Sequence, residues 1–380
     1  MSIPLFRPAV NRRDMQAVLE TMVDDTLGPG QISDGFVHAL LDVFDFEGGA
    51  AFREMRRALD VLFDALKLTE GQGILLSPLL PRVYAEAAAA AHIAFDFVDV
   101  DSRNGTVSVE SLQQAMAVER DFQVACLVCD SSLGFVPDIA SLSELVDVLV
   151  LDVSKSCGAL RAVCGGAADE QDDQAGESAG EQRETAIVAD YVLFSFEEDD
   201  IITTGGGAAV LGRSKKQSSA LNKAARGFSS AYFLPDINAA LGRAQLKELP
   251  RRCERRKEIA AVLQRAVQQS RHSLLVQAEG AGRVHYGLPV VIQTGRNDAQ
   301  QYAAKKGVDT RSAYEGSIID AYGLEPGQET TASEEDQLVC STSAVPEAAR
   351  LWRQTLLFPL YPSLTNLQVQ EISRILISLP

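Results

Sequence analysis

Short apolar segments alternate with amphipathic segments along most of the chain. Six of the apolar segments have the length and composition of β-strands: Gly73–Leu76, Phe95–Val100, Val124–Cys129, Val148–Val153, Tyr191–Phe196 and Ala208–Leu211. Several of them lack a polar residue at every second position, which is typical of strands that are covered on both faces. The pattern therefore predicts a sheet whose two faces are both buried.

The segments between these strands have the spacing of helices. The clearest one runs from about Gly49 to Lys67, and its apolar residues recur at intervals of three and four: Phe52, Met55, Leu59, Leu62, Phe63 and Leu66. Such a stripe forms one apolar helix face. Strands and helices that alternate in this way predict an α/β fold with a mostly parallel sheet and right-handed crossovers.

The pattern changes after Leu246. Pro250 is placed to open a long helix at its first turn, and a basic cluster follows at residues 251–257. A strand-like segment at His285–Gln293 and two further helices come later. We expect a large α/β domain at residues 1–246 and a smaller α+β domain at residues 247–380. We interpret the basic cluster as a solvated helix face or an interface.

The charge balance excludes several classes of partner. The chain has 35 Lys and Arg residues against 52 Asp and Glu residues, which gives a net charge of −17. A field of this sign repels nucleic acids and anionic lipids. No segment approaches the ~18–20 apolar residues of a membrane span, and the N-terminus does not have the order of a secretory signal. The expectation is a cytoplasmic protein that binds neither nucleic acid nor membrane.

Residues 167–184 differ in composition from the rest of the chain. They hold seven acidic residues, one basic residue and almost no apolar side chain. A segment of this kind cannot bury enough surface to offset the entropy of ordering. The composition predicts a flexible surface loop inserted into the large domain.

The sequence predicts neither a metal site nor a redox site. Cys126 and Cys129 form a C-x-x-C pair, but they lie in a predicted strand, where residues three apart point to opposite faces. The four histidines are isolated from one another. Thr203–Gly207 holds three glycines without the Lys-Ser/Thr of a phosphate-binding loop, and we interpret it as a turn. Spacing alone therefore predicts an α/β protein without assigning its chemistry.

Several segments occur in an order that is similar to a known family. They are Ile3–Pro8, Thr26–Gly30, Phe97–Asp101, Val150–Asp152, Phe194–Phe196, Thr203–Gly205, Asp236–Ala240, Ala244–Leu246 and Phe358–Thr365. The set resembles the DegT/DnrJ/StrS family of sugar aminotransferases over nearly the whole chain except the acidic insert. The resemblance implies the pyridoxal phosphate (PLP) transferase fold, with a mostly parallel sheet of the seven-stranded type and a small C-terminal domain. It also implies a homodimer that uses PLP on nucleotide-linked keto sugars, with its site at the subunit boundary.

The resemblance further implies where the cofactor contacts lie. Asp152 matches the aspartate that keeps the pyridine nitrogen protonated, and Ser195 matches a serine that helps to bind the phosphate. The Schiff-base lysine, however, aligns with Asp200, which ends the acidic run Glu197–Asp200. A carboxylate cannot supply the amine that this chemistry needs.

Other parts of the implied site are altered as well. The phosphate-binding helix start aligns with Glu47, Gly48 and Gly49, so that a carboxylate would face the phosphate. The aromatic residue that covers the cofactor ring aligns with Pro81, and the glutamine beside the ring hydroxyl aligns with Lys155.

These differences leave three hypotheses. In the first, the protein is a degenerate homologue without PLP-dependent transamination and without a cofactor, a scaffold that binds a small molecule in the former cofactor cleft or another protein. Its acidic run Glu197–Asp200 is then suited to attract a cation or an amine. In the second, it is an active PLP-dependent aminotransferase or dehydratase-like enzyme in which Lys155 replaces the missing lysine. In the third, it is a regulatory or assembly partner of a lysine-bearing paralogous aminotransferase.

Overall fold

The computed structural model describes residues 2–23, 27–158, 189–277, 283–293, 295–324 and 338–380. The flexible loop predicted at residues 167–184 lies outside these ranges. The helices are α1 (Arg12–Val23), α2 (Gln31–Phe44), α3 (Met55–Leu66), α4 (Val83–Ala90), α5 (Val109–Met116), α6 (Ile139–Ser143), α7 (Lys215–Ala225), α8 (Asp236–Lys247), α9 (Leu249–Val267), α10 (Arg296–Lys305), α11 (Ile318–Tyr322), α12 (Pro346–Gln354) and α13 (Asn366–Ile377). The strands are β1 (Gly48–Phe52), β2 (Gln72–Leu76), β3 (Ala94–Phe97), β4 (Gln123–Asp130), β5 (Val148–Asp152), β6 (Tyr191–Ser195), β7 (Ala208–Gly212), β8 (Ser273–Leu274), β9 (Leu288–Val291), β10 (Arg311–Ser312), β11 (Gly323–Leu324), β12 (Cys340–Ser341) and β13 (Thr355–Phe358).

The first strands of the chain form one large sheet. Within the described residues it has seven strands in the order β1-β7-β6-β5-β4-β2-β3. The strands β2 to β6 pair in parallel, whereas β7 is antiparallel to both of its neighbours, β1 and β6. The strands β5, β6 and β7 are almost entirely buried, because helices cover both faces of a sheet with this topology. The predicted mostly parallel α/β sheet is confirmed.

The helix predicted from about Gly49 begins later than expected. Gly48–Phe52 form the edge strand β1, which is paired with β7, and α3 begins only at Met55. A Cβ atom on Gly48 would collide with the side chain of Ser218, and one on Gly49 would collide with the carbonyl oxygen of Val210. The two glycines therefore allow β1 to lie close against its neighbours. The prediction that residues 47–49 open a phosphate-binding helix is wrong.

Gly49→Ala tests this assignment. We expect the substitution to lower the free energy of unfolding by about 1–3 kcal/mol, because the added methyl group overpacks the contact between β1 and β7. Gly28→Ala is the matched control, since a Cβ atom there would meet no heavy atom within 4 Å. Urea denaturation followed by circular dichroism measures both variants. Equal stability of the two would contradict the close approach of β1 to β7.

A second sheet lies in the C-terminal part of the chain. In the region that the structure describes it has four strands in the order β10-β13-β9-β8, all paired antiparallel. Its apolar core is formed with α9, α10 and α13 and includes Ile3 from the N-terminal segment. The core of the large sheet also takes side chains from beyond residue 247, among them Tyr314 and Leu351. The proposed division at residue 246 stays a prediction.

The basic cluster at the start of α9 is only partly solvated. Arg251 is exposed, but Arg252 and Arg256 are buried. The Arg252 guanidinium contacts the Asp14 carboxylate at 2.8 Å, and Arg256 donates hydrogen bonds to three backbone carbonyl groups, including that of Tyr286 at 2.7 Å. The interpretation of this cluster as a solvated face is therefore wrong for the two buried arginines, which join α9 to the rest of the fold.

Among the described residues, no helix combines the length and the apolarity needed to cross a bilayer.

Candidate functional site

Three neighbouring parallel strands of the large sheet end in polar residues. β4 ends at Asp130, β5 at Asp152 and β6 at Ser195. Because the carboxyl ends of parallel strands meet at one edge of a sheet, this edge is the usual place for a ligand site in α/β folds. A cavity of about 460 Å³ lies there, with a lining formed by Glu54, Met55, Arg56, Pro81, Val83, Asp130, Ser131, Asp152, Ser154, Lys155, Ser195, Glu197, Asp199, Asp200, Arg311 and Glu315.

The lining of this cavity is strongly acidic. Its described residues include seven with carboxylate side chains and three with cationic ones. The acidic residues are Glu54, Asp130, Asp152, Glu197, Asp199, Asp200 and Glu315, and the basic residues are Arg56, Lys155 and Arg311. The cavity therefore favours cations over anions.

Both oxygens of the Asp152 carboxylate accept hydrogen bonds. Oδ1 accepts from the Ser154 backbone amide at 2.8 Å and from the Ser154 hydroxyl, and Oδ2 accepts from the Tyr84 hydroxyl at 2.7 Å. Burial, and then the neighbouring Asp152, raise the pKa of Tyr84 well above its ordinary value, so the phenol stays a donor. The Ser154 hydroxyl also accepts a hydrogen bond from the Ser195 amide at 2.7 Å, which links the ends of β5 and β6.

Asp200 lies in the connection between β6 and β7. Its Oδ2 accepts a hydrogen bond from the Glu197 backbone amide at 2.9 Å. Burial raises the pKa of Asp200 to about 7, although a hydrogen bond from Ser195 and the positive charge of Lys155 act in the opposite direction. The position that the resemblance assigns to an amine thus holds a carboxyl group that is close to half-protonated at neutral pH.

Asp130 is a second carboxyl group with a perturbed pKa. Its pKa is raised to about 7 as the net result of three main causes: burial raises it, the positive charge of Lys155 lowers it, and the negative charge of Asp152 raises it. Its Oδ1 is buried without a hydrogen-bond partner, and so is the hydroxyl of the neighbouring Ser131. Sequence reasoning missed Asp130. The available signal was an acidic residue directly after the predicted strand Val124–Cys129, at the same edge of the sheet as Asp152.

Lys155 lies among the carboxylates of the cavity. Its positive charge acts on the pKa of Asp130, Asp199 and Asp200, and its Nζ lies 5.2 Å from the centre of the Tyr286 ring. This contact places the side chain of Lys155 against an aromatic ring as well as beside several acids.

Asp199 is tied to the C-terminal part of the chain. It forms an ion pair with Arg311 at 2.8 Å and accepts a hydrogen bond from the Tyr286 hydroxyl at 3.1 Å. Burial raises the pKa of Asp199, but the hydrogen bond and charge of Arg311 lower it by more, so that it lies below its ordinary value.

The helix start at the cavity is formed by Glu54, Met55 and Arg56. Glu54 is the N-cap residue of α3 but caps no backbone amide with its side chain. It forms an ion pair with Arg57 at 3.2 Å, while Arg56 forms one with Asp60 at 2.8 Å. The helix start that borders the cavity therefore carries a carboxylate at its cap.

The structure brings most of the predicted site residues together. Asp152, Ser195, Asp200, Lys155 and Pro81 all line the cavity. Gly48 and Gly49 are absent from its lining and lie within β1. The C-x-x-C cysteines are buried in β4, and no group of three or more side chains suited to a metal ion is present in the described ranges.

The large mixed sheet, with its cavity at the strand ends, defines the fold of the PLP-dependent aminotransferases. Residues 8–376 match the DegT/DnrJ/EryC1/StrS aminotransferase family, and the chain belongs to this family. The resemblance inferred from the ordered segments is thereby confirmed. A comparison with curated proteins gave no significant match in sequence.

Solved structures with the same fold include several aminotransferases of low sequence identity. A putative sugar aminotransferase, Spr1654 from Streptococcus pneumoniae in its PMP form, has a TM-score of 0.80 and 16% identity and covers 100% of this chain and 98% of its own. The aminotransferase TlmJ from Streptoalloteichus hindustanus has a TM-score of 0.77 and 19% identity, and the match covers 100% of this chain and 98% of TlmJ. PseC from Helicobacter pylori is an aminotransferase involved in the biosynthesis of pseudoaminic acid. It has a TM-score of 0.76 and 17% identity, and the match covers 100% of this chain and 99% of PseC. At these identities the likeness establishes the fold.

Proposed function

We propose that this family member does not catalyse PLP-dependent transamination and that it is a scaffold whose cavity binds another small molecule. The observation that carries the proposal is Asp200, a half-buried carboxyl group in the cavity lining, at the position that the resemblance assigns to the Schiff-base lysine. Transamination needs an amine that bonds to the cofactor and then moves protons. A carboxyl group can take up and release protons, but it has no nitrogen with which to form the imine.

The charges around the cavity are a second argument, because they do not fit PLP. A phosphate in this cavity would meet seven acidic side chains against three basic ones, so its negative charge is disfavoured there. The Asp152 carboxylate also accepts hydrogen bonds from Tyr84 and Ser154, so a further donor would have to share it with them. Several groups would have to change before the cavity favoured PLP.

A relocated lysine is the second candidate, and one observation favours it. Lys155 lies in the same cavity as Asp152 and Ser195. The resemblance, however, aligns Lys155 with a glutamine beside the ring hydroxyl and not with the lysine that forms the imine, whose position is held by Asp200. We therefore place an active PLP enzyme second.

A PLP titration followed by absorbance distinguishes the two candidates. We expect the spectrum of the wild-type protein with PLP to be the sum of the two separate spectra. A visible band that appears with the wild-type protein and disappears in Lys155→Ala, but persists in the exposed-lysine control Lys216→Ala, would establish the second candidate. A band that persists in Lys155→Ala would contradict both candidates, since it would require a different amine.

The proposal extends to assembly. We propose that the chain forms a homodimer or pairs with a lysine-bearing paralogue. Exposed apolar residues on α1 support an interface at that helix: Met15, Leu19, Met22 and Val23. In a heteromer, the paralogue would supply the amine that this chain lacks.

A further inference from the structure

We infer that the cavity at the ends of β4, β5 and β6 binds a small organic cation, a molecule that carries one or more protonated amines. The inference rests on the proposed function, because it requires a cavity that PLP does not occupy. It deepens that proposal by naming the chemical class of the ligand.

The first step is that the cations of the lining do not neutralise its acids. Arg311 is paired with Asp199, and Arg56 is paired with Asp60, which lies outside the lining. Lys155 is then the one lining cation of the described residues that has no ion pair within 4 Å. It faces five acidic residues that also have no such ion pair in the described chain: Asp130, Asp152, Glu197, Asp200 and Glu315. Asp130 and Asp200, whose pKa is raised to about 7, are charged only in part at neutral pH, but the other three still outnumber Lys155. The cavity therefore keeps unbalanced negative charge for a ligand to compensate.

The second step is a pair of buried polar groups that lack partners. Ser131 lines the cavity, is only 2% exposed as a residue, and has a hydroxyl without a hydrogen bond. The Oδ1 atom of the adjacent Asp130 is also buried and unpartnered. Buried polar groups in folded proteins nearly always have a partner, because an unpaired one has lost its hydrogen bonds to water without replacement. An ammonium group is a donor only, so it, or a water molecule that it orders, would match an acceptor carboxylate and a hydroxyl.

The third step separates an organic cation from a metal ion. The described residues offer no group of three or more side chains at the spacing of metal ligands. The cavity volume of about 460 Å³ lies within the range of small-molecule sites, which is roughly 300–1,000 Å³. Met55, Pro81 and Val83 give it an apolar wall against which the carbon skeleton of an amine can pack.

Isothermal titration calorimetry of the full-length protein with spermidine tests the inference. We expect spermidine to bind with 1:1 stoichiometry and 1,4-butanediol, which has no charge, to give no binding heat. At pH 8, above the raised pKa of Asp130, Asp130→Asn should weaken spermidine binding at least about tenfold, because it removes the carboxylate that carries one of the two unpartnered groups and lies next to the other. Glu198→Gln is the matched control, since Glu198 belongs to the same acidic stretch of the chain as Asp200 but is exposed and outside the lining. It should leave the affinity unchanged.

Three results would overturn the inference. They are the absence of binding heat with spermidine and also with arginine amide, equal affinity for the diol, and equal spermidine affinity in Asp130→Asn and the wild-type protein. The last result would mean binding elsewhere on an acidic surface. A urea unfolding curve shows that each variant is folded. The two proposals fail on different measurements. A visible band with PLP would contradict the proposed function whether or not amines bind, whereas the calorimetry tests amine binding alone.

Discussion

Arg252→Ala should lower the free energy of unfolding by about 3–5 kcal/mol. Arg252 contacts Asp14 at 2.8 Å, and the Asp14 side chain is completely buried. The Oδ1 atom of Asp14 has no hydrogen-bond partner, and Oδ2 accepts from the Asn11 amide, Gln245 and Arg252, of which Arg252 alone brings a compensating charge. Removal of one member of a buried ion pair leaves an uncompensated charge, which accounts for an effect of this size.

Two further variants isolate the ion pair in that measurement. Arg251→Ala is the control, since Arg251 is adjacent in sequence and its side chain is 85% exposed. It should change the stability by less than about 0.5 kcal/mol. The double variant Asp14→Leu/Arg252→Met should recover most of the stability, because apolar residues of similar volume remove both buried charges. If Arg252→Ala and Arg251→Ala were equally stable, the pair that joins α1 to α9 would not exist in solution.

The positions of the core strands could be predicted from the sequence, because a central strand is buried on both faces and reads as a continuous apolar run. The edge strand β1 was missed for a physical reason. Its sequence, Gly48–Phe52, has two glycines and little β-branched character, which gives a weak strand signal. Phe52 also happens to lie in phase with the apolar stripe of α3, so that the periodicity extended the predicted helix across a strand and a turn.

The burial of Arg252 and Arg256 in α9 could also be predicted in part from the sequence. Arg252 and Arg256 are four residues apart and so lie on one helix face, whereas Arg251 and Arg255 lie on the adjacent face. A basic cluster can therefore be solvated on one face and buried on the other. The partners of the buried pair, Asp14 and the carbonyl of Tyr286, are distant in the chain, and no local pattern reveals them.

Only those residues of the candidate site that the family resemblance assigns could be predicted from the sequence. The ordered segments placed Asp152, Ser195 and Asp200, and all three line one cavity. Tyr84 was missed because its hydrogen bond to Asp152 joins residues 68 positions apart, through a helix whose sequence is otherwise rich in alanine. The helix start was misplaced at residues 47–49 because the alignment there depended on glycine identity rather than on the actual boundary of α3.

Asp200→Asn should raise the free energy of unfolding by about 2–4 kcal/mol at pH 8 and by much less at pH 5. Burial raises the pKa of Asp200 to about 7 in the folded protein, whereas the unfolded chain has the ordinary value near 4. Between these values the folded state holds a proton that the unfolded state has lost. The wild-type protein therefore loses stability as the pH rises from about 4 to about 7, and each unit of difference is worth about 1.4 kcal/mol.

An asparagine at this position does not titrate, so its advantage over aspartate should grow through the same pH window. The carbonyl oxygen of the amide can still accept the hydrogen bond that Asp200 takes from the Glu197 backbone amide. Urea unfolding of both proteins at pH 5 and pH 8 measures the effect, and Glu198→Gln, at the exposed neighbouring acid, should show no such difference. A gain of equal size at both pH values would mean that the carboxyl group of Asp200 ionises as it does in water, and its pKa would then not be raised by its place in the cavity.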